Sequence, residues 1–216
     1  MTDQEAGPAE GPAFAAPDLP DSAQLWLLRH GETEWSISGQ HTGRTDVPLT
    51  EHGIEQAKAM NGMLGDVRPA LVLCSPRSRA QDTARYAGFT DVVIDDDLVE
   101  WDYGDYEGRT TDEIREHDPD WDLFTHGVPN GETVEHITAR ADRVLTRAGE
   151  AMHEGPVVLV GHGHFSRVLG ARWVGMSARG GGNLLLGTAA PSQLGMYHGQ
   201  PVIVHWNMTN PAARKD

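Results

Sequence analysis

Histidine, arginine and glutamate side chains follow four short apolar runs of this 216-residue chain, close to the point where each run ends. Arg29 and His30 follow QLWLL, and Arg79 comes five residues after ALVLC. Glu100 comes six residues after DVVI, and His162 follows PVVLVG. Arginine holds phosphate oxygens with a planar fork of N–H donors, histidine can be a nucleophile, and glutamate can be a general acid. Together these residue types fit phosphoryl transfer, provided that the fold brings them to one place.

The apolar runs alternate with stretches of helical periodicity. QLWLLR, ALVLC and PVVLVG are too short to show a helical period and are typical of buried strands, DVVI predicts a further short strand, and SQLGMYH and PVIVHW predict two final strands. Helices are predicted from Thr50, from Pro76 to Gly88, after the Thr110–Glu113 capping box, across residues 131–155, and over HFSRVLGARWVG. This alternation predicts an α/β fold: a three-layer α/β/α sandwich with a mostly parallel central sheet. Ligands of such sheets bind at the carboxyl ends of the strands, so we expect the four sites to converge.

Each candidate residue also has a simpler explanation. An Arg–His pair at a strand end is more often a surface ion-pair partner, and Glu100 alone would be a solvated loop carboxylate. Asp95, Asp96 and Asp97 point in different directions, which favours a charged turn over a metal site. His162 and His164 could chelate a metal, although no third ligand stands at a recognisable spacing. The complementary chemistry at four strand ends favours a shared active site.

Composition excludes several other classes of protein. With 17 Lys+Arg against 32 Asp+Glu, the net charge of −15 should repel a polyanion, so no nucleic-acid partner is expected. The apolar runs are far shorter than the ~18 residues that cross a bilayer, so no membrane-spanning segment is expected. The single cysteine, Cys74, excludes a disulfide framework and a cysteine-based zinc site.

Residues 1–22 differ from the rest of the chain. They contain four Pro, five acidic residues and no Lys or Arg. This composition predicts a disordered acidic tail, followed by a catalytic domain over residues 23–210. The stretch lacks the basic start and apolar centre of a secretory signal, so we expect a cytoplasmic protein.

Four motifs carry a family resemblance. LLRHGETEW, SPRSRAQDTA, LVEWDYGDYEG and VGHGHFSR occur in this order and resemble the histidine phosphatase superfamily, which includes the cofactor-dependent phosphoglycerate mutases and many broad-range phosphatases. The EWDYG–YEG and THG–P–GE segments are similar to small bacterial acid-phosphatase members, particularly a mycobacterial type. The resemblance covers about residues 24–207 and implies a phosphoglycerate mutase-like fold.

The resemblance also implies roles for particular residues. His30 would become phosphohistidine, and Arg29, Arg79 and His162 would hold the phosphoryl oxygens. On physical grounds, we expect a protonated His162 to add a cation next to the transferring group. Glu100 would protonate the leaving group and later deprotonate the attacking water. Thr42, Gly43 and Gly163 would contact substrate, whereas Ser36, which stands where mutases commonly carry Asn, is left out of the site. No metal and no other cofactor is expected.

These roles predict a phosphatase for small phosphomonoesters. A phosphoglycerate mutase or a sugar (bis)phosphatase is the alternative, and a non-catalytic phospho-ligand-binding module is a further one. The segment from Glu116 to Phe124 is acidic and aromatic, and we expect it to lie over the entrance, repelling a second anionic group. Trp101, Trp121 and Phe124 would then support aromatic leaving groups. A homodimer is compatible with the sequence, which does not define the oligomeric state.

Overall fold

In the computed structural model, which describes residues 14–213, one six-stranded sheet carries the chain's apolar runs. The strands are β1 (Gln24–Arg29), β2 (Leu71–Cys74), β3 (Val93–Ile94), β4 (Val157–Gly161), β5 (Ser192–Tyr197) and β6 (Gln200–His205). Their order is β3-β2-β4-β1-β5-β6; the pairs among the first four are parallel, and the β1–β5 and β5–β6 pairs are antiparallel. The predicted mostly parallel sheet is therefore confirmed.

Seven α-helices within the described residues connect and cover the strands. They are α1 (Glu34–Ser38), α2 (Glu51–Leu64), α3 (Ser78–Tyr86), α4 (Thr111–Arg115), α5 (Leu123–His126), α6 (Val134–Ala151) and α7 (Gly163–Trp173). Side-chain caps begin several of them: the Thr50 hydroxyl accepts the N–H of Gly53, and Thr110 and Glu113 form the predicted capping box. Helix α1 lies in a stretch without helical periodicity, where five residues are too few to show a period. Within residues 14–213, every helix is too short or too polar to cross a bilayer.

Two apolar layers lie on opposite faces of the sheet. Successive side chains of a strand point to opposite faces, so Leu25 and Leu27 of β1 pack with α6 and α7, whereas Trp26 and Leu28 pack with α2 and α3. Strands buried on both faces need continuous apolar runs, which is why QLWLL and VVLV show no alternation. The three-layer α/β/α prediction is confirmed.

The chain packs on the domain already before β1. Leu19 is buried in the layer of α6 and α7, the rings of Phe14 and Trp173 have centroids 6.5 Å apart, and Pro17 lies against Gly149. For residues 14–22 the predicted disordered tail is therefore wrong. The composition of residues 1–22 as a whole does not show that Leu19 is buried in the core and that the partly buried Phe14 packs against it. The remainder of the predicted tail, residues 1–13, lies outside the described residues.

Candidate active site

The register of two neighbouring strands places the two key histidines side by side. Arg29 at the end of β1 is paired with Gly161 at the end of β4, and the backbone N–H of His30 donates to the carbonyl of Gly161 at 3.0 Å. The rings of His30 and His162 have centroids 5.3 Å apart. The carboxyl end of β2 adjoins them, since Ser75 N–H donates to the Val160 carbonyl. The structure therefore brings these strand ends together, as the sheet topology requires.

His30 is buried and held in one tautomer. Its Nδ1 lies 2.8 Å from the carbonyl oxygen of Gly31, to which a protonated Nδ1 donates. That bond leaves the lone pair on Nε2. Burial, followed by the charges of Arg29 and Arg79, lowers the pKa of His30 well below 6.5. In the free protein this imidazole is neutral near pH 7, which is the state that a nucleophile needs.

His162 is completely buried and also neutral, contrary to the expectation that it is protonated. Burial lowers its pKa well below 6.5, and the neighbouring charge of Arg79 lowers it further. Its Nε2 lies 2.8 Å from the hydroxyl oxygen of Ser75, while its Nδ1 is buried without a partner. If the Ser75 hydroxyl donates to Nε2, the imidazole proton lies on Nδ1. His162 then offers a hydrogen-bond donor rather than a charge.

Two arginines are anchored by their terminal nitrogens. Arg29 Nη1 donates to the carbonyl of Leu186 at 2.6 Å, and Arg79 donates to the carbonyls of Thr45 and Thr42 at 2.9 and 3.0 Å. The Nε atoms of both arginines are buried without a partner. A Cβ at Gly163 would lie 3.1 Å from Cζ of Arg29, so a glycine there permits this close approach.

The three unpartnered donors point to one kind of ligand. Arg29 Nε and Arg79 Nε carry N–H groups, as does His162 Nδ1 when Ser75 donates to Nε2, and buried polar groups of this kind normally have a hydrogen-bond partner. Burial lowers the pKa of Arg29 and of Arg79, but guanidinium groups stay charged at neutral pH. The arrangement suits an anion with several oxygens, such as a phosphoryl group.

Glu100 is buried, and its carboxyl group is held by three backbone N–H groups. Oε1 accepts the backbone N–H groups of Trp101 and Phe165 at 2.9 and 2.8 Å, and Oε2 accepts the N–H of His164 at 2.9 Å. Two of these donors belong to the first turn of α7, where helix N–H groups have no partner within the helix. The helix that begins after His162 therefore also orients the candidate general acid.

A cavity of about 260 Å³ opens over these groups. Of the predicted site residues, its lining includes Arg29, His30, Thr42, Glu100 and Gly163. Arg79 and His162 do not line it and are themselves completely buried.

The predicted site residues leave out much of the cavity wall, namely Trp35, Gln40, His41, Tyr103, His164 and Arg167. His41 stacks on Tyr103 with centroids 4.7 Å apart, and the Tyr103 hydroxyl lies 2.6 Å from His164 Nδ1. Burial lowers the pKa of His41 to about 4. Position within the four family motifs was the available signal for Tyr103, His164 and Arg167, and adjacency to Thr42 was the signal for His41.

Two predicted positions near the cavity differ from expectation. Gly43 is not part of the cavity lining, and its N–H donates to both carboxylate oxygens of Glu107 at 3.0 Å, so it is committed within the protein. Packing explains why this residue is a glycine, because a Cβ at Gly43 would lie 2.6 Å from the carbonyl oxygen of Trp101. Ser36 lines the cavity, but its hydroxyl forms the cap of α1 with Thr33.

The prediction that three aromatic side chains support the leaving group is wrong. Trp101, Trp121 and Phe124 are buried in the core layer of α6 and α7, because their large apolar surfaces are removed from water there. The lining of the cavity contains no residue from 116–124, so this acidic segment does not form its wall. The expected repulsion of a second anionic group therefore has no structural basis.

The candidate metal ligands have other partners. Asp95 and Asp97 form ion pairs with Arg147 and Arg143 at 2.7 Å, which fits the charged turn. Across residues 14–213, no group of three or more His, Cys, Asp or Glu side chains has the arrangement of a metal site.

Comparison with known proteins identifies the family of this chain. The model of the histidine phosphatase superfamily (branch 1) matches residues 25–209. An acid phosphatase of Mycobacterium tuberculosis is 46% identical over 178 residues, which cover 82% of this chain and 88% of that protein. A sedoheptulose 1,7-bisphosphatase of Saccharomyces cerevisiae is 35% identical, covering 71% and 68% of the two chains. A solved Mycobacterium tuberculosis structure superimposes with a TM-score of 0.85 at 44% identity, covering 87% of this chain and 98% of that one.

Proposed function

The chain belongs to branch 1 of the histidine phosphatase superfamily, and from that premise we propose that it hydrolyses small phosphomonoesters through a phosphohistidine on His30. The observation that carries this proposal is the set of buried, unpartnered N–H donors of Arg29, Arg79 and His162 beside a neutral His30. That it is a phosphatase follows from the family and from the acid phosphatase relative. The covalent intermediate, the residue roles and the substrate are the proposal.

In the first step, His30 Nε2 attacks phosphorus as the bond from phosphorus to the leaving oxygen breaks. Glu100 gives its proton to that oxygen, so an alcohol departs and a carboxylate remains. Charge spreads over three phosphoryl oxygens in the loose transition state, and Arg29, Arg79 and His162 donate hydrogen bonds to them. In the second step, water attacks phosphorus, Glu100 takes the water proton, and the phosphorus–nitrogen bond breaks to regenerate His30 and inorganic phosphate.

The intermediate is tested by quenching the enzyme during turnover of a ³²P-labelled phosphomonoester. Wild-type protein should retain label that is stable to alkali and released by acid, and His30→Ala should retain none. The exposed His153→Ala is the matched control and should behave as wild type. Turnover by His30→Ala, or the absence of label in the wild type under burst conditions, would exclude this mechanism.

The role of Glu100 is tested with two leaving groups. An alkyl oxygen needs a proton to depart, whereas p-nitrophenolate leaves without one. Glu100→Gln should therefore slow an alkyl phosphate by ~10²–10⁴-fold and p-nitrophenyl phosphate far less. Equal losses with the two esters would assign proton donation to another group, with Glu32 or Asp102 next to be tested.

A sugar bisphosphatase is the second candidate, and Arg167 supports it. Its Nε and Nη2 donate to the carbonyls of Gly181 and Gly182 at 2.9 and 2.8 Å, and its guanidinium lies 4.5 Å from the Phe124 ring centroid. A cation fixed in the cavity wall suits substrates with a second anionic group, and one relative is a sugar bisphosphatase. A phosphoglycerate mutase also binds a substrate with a second anionic group, so Arg167 does not separate it from a bisphosphatase, and the products of turnover must do so.

The two hydrolase candidates are separated by kcat/KM for an alkyl monophosphate, a sugar bisphosphate and 3-phosphoglycerate. If Arg167 holds a second anion, Arg167→Gln should lower kcat/KM for the bisphosphate and leave the monophosphate nearly unchanged. A wild-type preference for the monophosphate that Arg167→Gln does not alter would favour a general phosphomonoesterase. Phosphate transfer to a second hydroxyl of phosphoglycerate would instead identify a mutase.

A further inference from the structure

Arg140 of α6 is buried behind Glu100. All of its side-chain nitrogens donate hydrogen bonds, either to the loop that carries Glu100 or to the carboxylate of Glu132. Arg140 of α6 donates from Nη1 to the carbonyls of Asp97 and Val99 at 2.7 and 2.6 Å. Its Nη2 donates to the carbonyl of Glu100 at 3.5 Å and to the Glu132 carboxylate at 2.6 Å. Its Nε donates to the other oxygen of Glu132 at 2.9 Å. One guanidinium thus holds three backbone carbonyls that lead up to and include Glu100.

Glu132 completes this arrangement from the opposite side of the loop. Its side chain, like that of Arg140, is only 5% exposed, so the ion pair is almost fully removed from water. Its backbone carbonyl accepts the indole N–H of Trp101 at 2.8 Å, and its N–H donates to the carbonyl of Asp102 at 2.9 Å. The two residues that follow Glu100 are therefore tied to the residue that binds Arg140.

Arg140 also contacts the residue that binds the Glu100 carboxylate. Its Cζ lies 4.1 Å from the ring centroid of Phe165, and the backbone N–H of Phe165 donates to Glu100 Oε1 at 2.8 Å. The guanidinium therefore touches both the backbone of Glu100 and the helix that fixes its carboxylate. Displacement of Arg140 would disturb both at once.

We propose that Arg140 and Glu132 are positioning residues that hold Glu100 in the orientation needed to pass its proton to the leaving group. A buried ion pair is often no more stabilising than well-packed apolar residues of the same volume, so stability alone does not account for this one. Its contacts converge on the loop of Glu100. The inference rests on the proposed function, because it takes Glu100 to be the general acid.

The experiment compares leaving groups in variants of the pair. Arg140→Lys keeps the positive charge but loses the planar set of guanidinium donors. Arg140→Met/Glu132→Leu removes both charges, so no buried charge is left unpaired and the protein can fold. Misplacement by about 1 Å can cost on the order of 10²-fold in rate. We expect kcat/KM for an alkyl phosphate to fall by roughly 10–100-fold in both variants, and p-nitrophenyl phosphate to change by only a few-fold.

The chain offers a matched control in a second arginine–carboxylate pair, which joins α6 and α7. Arg172 of α7 donates from Nε and Nη2 to the two carboxylate oxygens of Asp142 on α6, at 2.8 and 2.9 Å. Arg172 is buried, and its Nη1 donates to the carbonyl of Met176 at 3.2 Å. These partners lie outside the loop of Glu100. Asp142→Asn should therefore lower the melting temperature without distinguishing the two esters.

The possible outcomes separate this inference from the proposed function. If Glu100→Gln distinguishes the two esters and the Arg140 variants slow both equally, the positioning role is overturned while Glu100 remains the acid. If Glu100→Gln slows both esters equally, the acid role and the positioning role fail together. Selective loss on the alkyl ester in Glu100→Gln and in both Arg140 variants, but not in Asp142→Asn, supports the proposal.

Discussion

Because residues 14–22 pack on α6, the effect of Gly149→Ala on stability should change sign when that segment is removed. Gly149 lies in α6, where replacing glycine by alanine ordinarily stabilises a helix by up to about 1 kcal/mol. A Cβ at this position would lie 2.4 Å from Cγ of Pro17, so the proline must move. Overpacking of this kind costs about 1–3 kcal/mol. Gly149→Ala in the whole chain should therefore give no gain in stability, or a loss of up to about 2 kcal/mol.

Removing residues 1–20 removes Pro17 and with it the opposing contact. In that background Gly149→Ala should raise the melting temperature, by roughly 2–4 °C for each kcal/mol in a domain of this size. Gly62→Ala in α2 is the control, because a Cβ at Gly62 would extend into open space and the same gain is expected in both backgrounds. The truncation alone should cost about 2–5 kcal/mol, since it also removes Leu19 from the core.

The assay is thermal unfolding followed by circular dichroism for the whole chain, the chain without residues 1–13 and the chain without residues 1–20, each with and without the two glycine substitutions. Deletion of residues 1–13 leaves Phe14, Pro17 and Leu19 in place, and Gly149→Ala should behave there as in the whole chain. An identical shift for Gly149→Ala in all three backgrounds would refute the packing of this segment on α6.

Three further predictions concern titration, reactivity and metals. The pKa of His41 in the folded protein is about 4, below its ordinary value of 6.5, so its contribution to the free energy of unfolding is fully present above pH 6.5 and is lost as pH falls towards 4. Compared with His41→Gln, the wild type should lose at most about 3 kcal/mol of unfolding free energy over this range. Urea unfolding of both proteins at each pH measures this, and the same pH dependence in both would contradict it. Burial raises the pKa of the Cys74 thiol to about 12, so a thiol reagent at pH 8 should react only after unfolding in urea, and fast labelling of the folded protein would show access that the structure does not have. Dialysis against EDTA should leave turnover unchanged, whereas a loss restored by Mg²⁺ or Zn²⁺ would indicate metal-assisted hydrolysis.

The positions of the catalytic candidates were predictable from sequence because they depend on local features. Strands buried on both faces are continuous apolar runs, and the residues that follow them lie at one edge of a parallel sheet. Arg29 and His30 needed only that reasoning to be placed at the cavity, with Arg79 and His162 buried beside it, whereas Glu100 follows β3, a two-residue edge strand with exposed side chains. The short helix α1 was missed because five residues do not complete two helical turns.

The cavity wall and the protonation of His162 were not predictable in the same way. Whether Trp121 or Phe124 faces a cavity or the core is decided by contacts with α6 and α7, which are far away in sequence. The charge of His162 depends on complete burial and on the nearby Arg79, and neither is encoded in the GHGH motif. Likewise, Arg140 stands among ordinary helical residues, and only the structure shows what it holds.

The strand register determines which parts of the cavity can change in sequence without moving the two histidines. His30 and His162 are set one strand spacing apart by β1 and β4, whose pairing is fixed by the core. By contrast, Trp35, Gln40, His41 and Thr111 of the cavity wall belong to segments outside the sheet. Alterations in those segments can accumulate without moving the histidines. If His30 is the nucleophile, as proposed, exchanging residues 35–41 for those of a relative should alter which phosphomonoester is preferred and leave the labelling of His30 intact.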